Sequence, residues 1–111
     1  MQPKAIRLSL SIAILLMSIS TAQTAQVGSV QEGLSIARER CSACHLVVKE
    51  RGLSTNEKAP TFARIANVPE MTAAALRAAL STSHEVMPNL VLKDEEADSL
   101  IAYILSLKEN H

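Results

Sequence analysis

Tryptophan is absent from this chain of 111 residues, and phenylalanine and tyrosine occur once each, as Phe62 and Tyr103. Small domains bury a smaller fraction of their surface than large ones, and aromatic rings contribute the most apolar area per side chain. A core drawn from these residues alone is thin, so a further apolar body is wanted to fill it. A long hydrophobic run is also lacking: the most apolar stretch, residues 8–19, is lightened by serines and falls short of the roughly 20 residues that cross a bilayer. Neither sign of charge dominates, with 11 Lys and Arg against 11 Asp and Glu. No basic patch points to nucleic acid, and no polybasic segment points to an anionic membrane surface.

What is present begins with an address. Lys4 and Arg7 precede the apolar run, and Ser20-Thr21-Ala22 places small residues at the −3 and −1 positions of a cleavage site. This is the pattern of a secretory signal peptide. Residues 1–22 are expected to be removed, leaving residues 23–111 as one exported domain in the periplasm. A cut after Ala25 is the alternative, although Gln23 suits the −3 position poorly. No cysteine stands near the cut to carry a lipid, so no stable membrane association is expected. Loss of Lys4 and Arg7 leaves nine Lys and Arg against eleven Asp and Glu.

The two cysteines are Cys41 and Cys44, within Cys41-Ser42-Ala43-Cys44-His45. Two thiols at this spacing with an imidazole directly after are the signature of covalent c-type haem attachment. On one helical turn, positions i, i+3 and i+4 share a face, so all three side chains can meet one flat object. Each thiol adds across a porphyrin vinyl group and the imidazole ligates the iron. A thioredoxin-like dithiol needs a βαβ context, and structural zinc needs four ligands. The chain offers neither, since His84 and His111 lie far off without ligand-pair spacing. Two lone thiols in an oxidising compartment would be expected to pair; thioether bonds to haem c, one per chain, consume them instead.

Along the rest of the chain, Val30, Leu34, Ala37, Cys41 and Cys44 recur at helical spacing and predict an amphipathic helix that delivers the motif at its end. Gly33 within it is expected where a second helix comes close. Residues 49–59 read as a loop, ending at Ala59-Pro60-Thr61-Phe62. The free carbonyl of Pro60 is a candidate acceptor for the second ring nitrogen of His45, because ligating histidines generally donate that proton; a simple turn proline is the other reading. Phe62, Ile65 and Ala66 suggest a short helix, with Phe62 packing on the haem. Thr72 is placed to cap a helix over 72–81. Residues 94–108 form the last helix, with Asp94, Glu95 and Glu96 complementing its N-terminal dipole and Ala97, Leu100, Ile101, Ile104 and Leu105 as its apolar stripe.

Between these helices lies His84-Glu85-Val86-Met87-Pro88-Asn89-Leu90. The residue before a proline is pushed out of the α region, so Met87 can offer its thioether sulfur from an extended loop as the second iron ligand. Most methionines simply fill core gaps; His84 is the main rival for this position, and an iron with no second protein ligand is the other reading. Met71 lies closer in sequence to His45 and has less chain with which to cross the ring.

In this order of features the chain resembles the small bacterial class I cytochromes c, across nearly all of residues 23–111. The resemblance implies an all-α cytochrome c-like fold of three to five short helices around one covalently bound haem. It matches Gly33, eight residues before Cys41, to the glycine that packs against an aromatic of the last helix, here Tyr103. Ala59-Pro60 is similar to the segment whose proline carbonyl holds the proximal histidine, and Met87-Pro88 to the distal ligand segment. Two positions depart from the family: Ala37 stands where an aromatic is common, and Lys93 precedes Asp94 where a threonine cap is common, so that Asp94 is expected to cap instead.

With His45 and Met87 both on the iron no position is open for substrate, and the task left is to gain and lose one electron. The function expected is a soluble carrier, not an enzyme, that meets periplasmic redox proteins by transient contact. The alternatives are a haem-bearing subunit of a dehydrogenase or oxidase, and a gas or peroxide responder in which Met87 dissociates.

Overall fold

The structure, a computed structural model, describes residues 28–110. The expected leader over residues 1–22, the alternative cut after Ala25 and His111 lie outside the described residues. Four helices follow one another: α1 (Val30–Arg40), α2 (Phe62–Ala66), α3 (Ala73–Ser81) and α4 (Asp94–Ser106). Among the described residues there is no β-strand, and the protein is all-α with a cytochrome c-like arrangement of four short helices.

Helix α1 starts at Ser29, whose extended backbone lets its hydroxyl accept a hydrogen bond from the Glu32 amide at 3.3 Å. Its buried face is Gly33, Ile36 and Ala37, which differs from the stripe expected from the apolar spacing. Val30 is 42% exposed and Leu34 is half-buried. The reason lies in Gly33: a pattern read from side-chain size passes over glycine, yet α4 comes so close there that a Cβ would clash with it. The helix also stops before the haem-type motif. Cys41 is its C-cap, and the amides of Cys44 and His45 donate to the Cys41 carbonyl at 3.2 and 2.9 Å. The motif is therefore one further hydrogen-bonded turn rather than the end of α1.

Helix α4 crosses α1 at that glycine. A Cβ on Gly33 would lie 2.6 Å from the Tyr103 Cβ and closer still to the Ser99 carbonyl oxygen. No larger residue fits without moving backbone. Ser99 is 2% exposed, and its hydroxyl accepts from the Ser29 amide and donates to the Glu32 carboxylate, each at 3.2 Å. The Tyr103 hydroxyl donates to the Val47 carbonyl at 2.5 Å, which pins the segment following the motif to the crossing. The start of α4 corrects an expectation. Lys93 is the N-cap residue and its amide donates to the Glu96 carboxylate at 2.9 Å, so Glu96, not Asp94, satisfies the first orphan donor.

Thr61 and Thr72 cap α2 and α3, accepting from the amides of Arg64 and Ala75 at 3.1 Å. Arg77 of α3 pairs with Asp98 of α4, with Asp94 at 4.0 Å. Each of α1, α2 and α3 packs on α4, whereas among the described residues none of the three has a Cα within 8 Å of another. The space they leave to one another is where the site lies.

Candidate haem site

A cavity of about 400 Å³ occupies that space, within the roughly 300–1,000 Å³ usual for ligand pockets. Cys41, Cys44 and His45 line it together, with Phe62 and Ile65 from α2, Leu76 and Leu80 from α3, and Ile104 from α4. It is walled mainly by carbon. The residues 49–59, which lack helical periodicity, are stitched to the motif: the Asn56 amide donates to the Cys44 carbonyl at 3.1 Å, and the Leu46 amide to the Ser54 hydroxyl at 3.0 Å. Nothing in the sequence marks Ser54 and Asn56 apart from other polar loop residues.

His45 is held by one polar contact and one ring contact. Its Nδ1 lies 2.6 Å from the Pro60 carbonyl oxygen. A carbonyl accepts only, so Nδ1 carries the proton and Nε2 keeps the lone pair that a metal needs. The ring meets that of Phe62 at 5.4 Å between centroids and 53° between planes. Phe62 is 4% exposed, and its amide donates to the Leu46 carbonyl at 2.9 Å. The hydrogen bond from residue 62 back to residue 46 thus anchors both the ring wall and the neighbouring carbonyl that orients the imidazole.

The two cysteines do not pair in a disulfide; Cys41 is buried and Cys44 half-buried. Burial pushes the Cys41 thiol up from its ordinary value, and the neighbouring Arg40 guanidinium offsets part of that rise. A thiol kept neutral is a poor attacking group and a poor thiolate ligand, which counts against dithiol exchange; a thioether carries no charge to desolvate. Among the described residues no group of three or more His, Cys, Asp or Glu is arranged to hold a metal ion. Zinc held by side chains alone therefore has no site here. A flat apolar group that brings its own metal ligands, needs two thiols for attachment and takes one imidazole nitrogen fits these residues.

The loop between α3 and α4 brings the remaining candidates. His84 and Met87 form an isolated antiparallel bridge, and the Ser83 hydroxyl donates to the Asn89 side-chain carbonyl at 2.8 Å. Met87, His84 and Met71 all line the cavity. They differ in surroundings: Met71 packs against the buried core cluster, His84 is exposed, and Met87 is half-buried. Arg40 and Lys58 also border the cavity, and sequence spacing singled out neither.

Neither a family model nor a solved structure matches the chain. Among curated proteins the chain is 29% identical over 97 residues to Cytochrome c-552 of Bradyrhizobium diazoefficiens, an alignment covering 87% of this chain and 92% of that protein. That similarity supports reading the chain as a small class I cytochrome c. A c-type cytochrome works in electron transfer with covalently bound haem c as its cofactor, and that is the reading the similarity supports. The cavity, the thiol pair and the His45 geometry are where that cofactor fits. No helix among the described residues is long and apolar enough to cross a membrane.

Proposed function

We propose that this cytochrome is a periplasmic carrier of single electrons, with one haem c joined to Cys41 and Cys44, and with His45 and Met87 as the two axial ligands. The observation that carries the reading is the meeting of Cys41, Cys44, His45 and Met87 on one apolar cavity. The bound haem supplies an iron that changes by one unit of charge. The protein does the rest. The Pro60 carbonyl fixes the tautomer and aim of the imidazole, and Phe62 stops its ring from turning. The Met87 thioether, soft and neutral, favours the ferrous state over the ferric and raises the potential relative to a second imidazole. Carbon walls act in the same direction by penalising the extra positive charge. Ligands that stay put in both oxidation states keep reorganisation small, and partner contact is expected to be transient, below about 1,200 Å².

The test is a visible and near-infrared spectrum of the holoprotein with and without carbon monoxide. A carrier with both axial positions filled shows the weak Met-iron band when oxidised and takes up carbon monoxide slowly when reduced. Rapid stoichiometric uptake overturns the carrier reading in favour of a responder. Co-purification with a large dehydrogenase or oxidase makes it a bound subunit instead. Met87→Ala should abolish the near-infrared band and lower the potential; an unchanged spectrum removes Met87 from the iron.

A further inference from the structure

Residues 83–92 carry Met87, and the hydrogen bonds that hold them are almost all their own. His84 bridges Met87, and Ser83 bonds Asn89. Among the described residues one hydrogen bond joins this segment to another element: the Arg40 guanidinium donates to the Val91 carbonyl at 3.3 Å. The same guanidinium pairs with the Glu96 carboxylate at 3.5 Å. That Glu96 oxygen also accepts from the Lys93 amide at 2.9 Å. The returning limb of the loop is therefore gripped at residues 91 and 93 by one Arg-Glu unit. Arg40 stands directly before Cys41 and borders the cavity, so the grip originates beside the attachment point of the cofactor.

Resting on the reading of Met87 as axial ligand, we infer that Arg40 is a positioning residue for it: a latch, completed by Glu96, that holds the Met87 loop closed and sets how readily the thioether is displaced. Arginine suits this because its planar fork can address a carbonyl and a carboxylate at once, which a lysine ammonium does less well. Side-chain exposures of 34% and 32% for Arg40 and Glu96 leave the pair open to salt screening. The latch should therefore loosen as ionic strength rises.

The experiment uses the holoprotein and imidazole as a competing ligand for ferric iron. Arg40→Met should raise imidazole affinity about tenfold, the effect of losing one charged hydrogen bond. Arg40→Lys should recover part of that change, and Glu96→Gln should produce a similar but smaller rise. A general loss of stability would also weaken the Met-iron bond, so two melts are compared. A latch lowers the temperature at which the near-infrared Met-iron band disappears and leaves the far-ultraviolet helix midpoint in place; a merely structural role lowers both together. Imidazole affinity unchanged in Arg40→Met, with the band abolished in Met87→Ala, overturns the latch and leaves the ligand assignment standing. A band unchanged in Met87→Ala overturns both.

Discussion

The two flanks of α4 are held in different ways. On one, α1 crosses so closely at Gly33 that Ser99 and Tyr103 touch it directly, and Ser29, Glu32 and Ser99 close a hydrogen-bonded ring around the contact. Protein alone completes that flank. On the other, α2 and α3 face a cavity rather than one another and the Met87 loop lines the same cavity, and among the described residues one hydrogen bond ties the loop to another element. The difference shows how a domain with one phenylalanine, one tyrosine and no tryptophan divides its resources: tight backbone approach where helices meet, and an apolar cavity where they do not.

The largest test of that contrast is to remove the attachment points. Cys41→Ser with Cys44→Ser should eliminate covalent pigment and most of the far-ultraviolet helix signal. Whatever hydrogen-exchange protection survives should lie at the Gly33–Tyr103 crossing. Equal residual protection in α3 and around Gly33 would erase the distinction. Gly33→Ala strikes the other flank. Because the obstructing atoms include the Ser99 backbone, it should cost about 3 kcal/mol in denaturant unfolding of the holoprotein, while the Met-iron band persists under native conditions. A cost within experimental error would mean that the crossing is looser than its geometry.

Tyr103→Phe is the mildest of the three, removing the bond to Val47 and leaving a carbonyl unpaired, for about 1–2 kcal/mol. It also sharpens the comparison through pH. Burial pushes the Tyr103 phenol up from its ordinary value; the Arg38 charge opposes that rise and Glu50 adds to it. The fold thus favours the neutral phenol. Its contribution is complete below about pH 10, the ordinary tyrosine value, and is lost as pH climbs through the raised folded value. Urea midpoints of the native protein should fall over that interval, and those of the phenylalanine variant should stay level there.

Much of this was legible without coordinates. The Thr72 cap, the short helix at Phe62 and Ala66, and the close approach at Gly33 follow from local chemistry, periodicity gave the first and last helices, and the all-α fold as a whole is what the family resemblance implies. The buried face of α1 did not, because Gly33 has no side chain to enter an apolar pattern and Ile36 sits off the stripe that size alone suggests. Glu96 was read only as a charge for the helix dipole, since its reach back to Lys93 depends on a turn geometry that composition does not encode. Nothing in the sequence sets Arg40 apart from Arg38, the other cation of α1; that it touches both Val91 and Glu96 depends on residues more than fifty positions away.

By itself the sequence determined the attachment motif and the thinness of the core, since the spacing of two thiols and an imidazole is local and the scarcity of aromatics is a count. The tertiary structure decided which candidates meet: it put the Pro60 carbonyl against His45 with the Phe62 ring beside it, and it alone brought Arg40 to Val91 and Glu96. Contacts across long loops are set by how helices pack on α4, and packing is a property of the assembled surfaces rather than of any one stretch of chain.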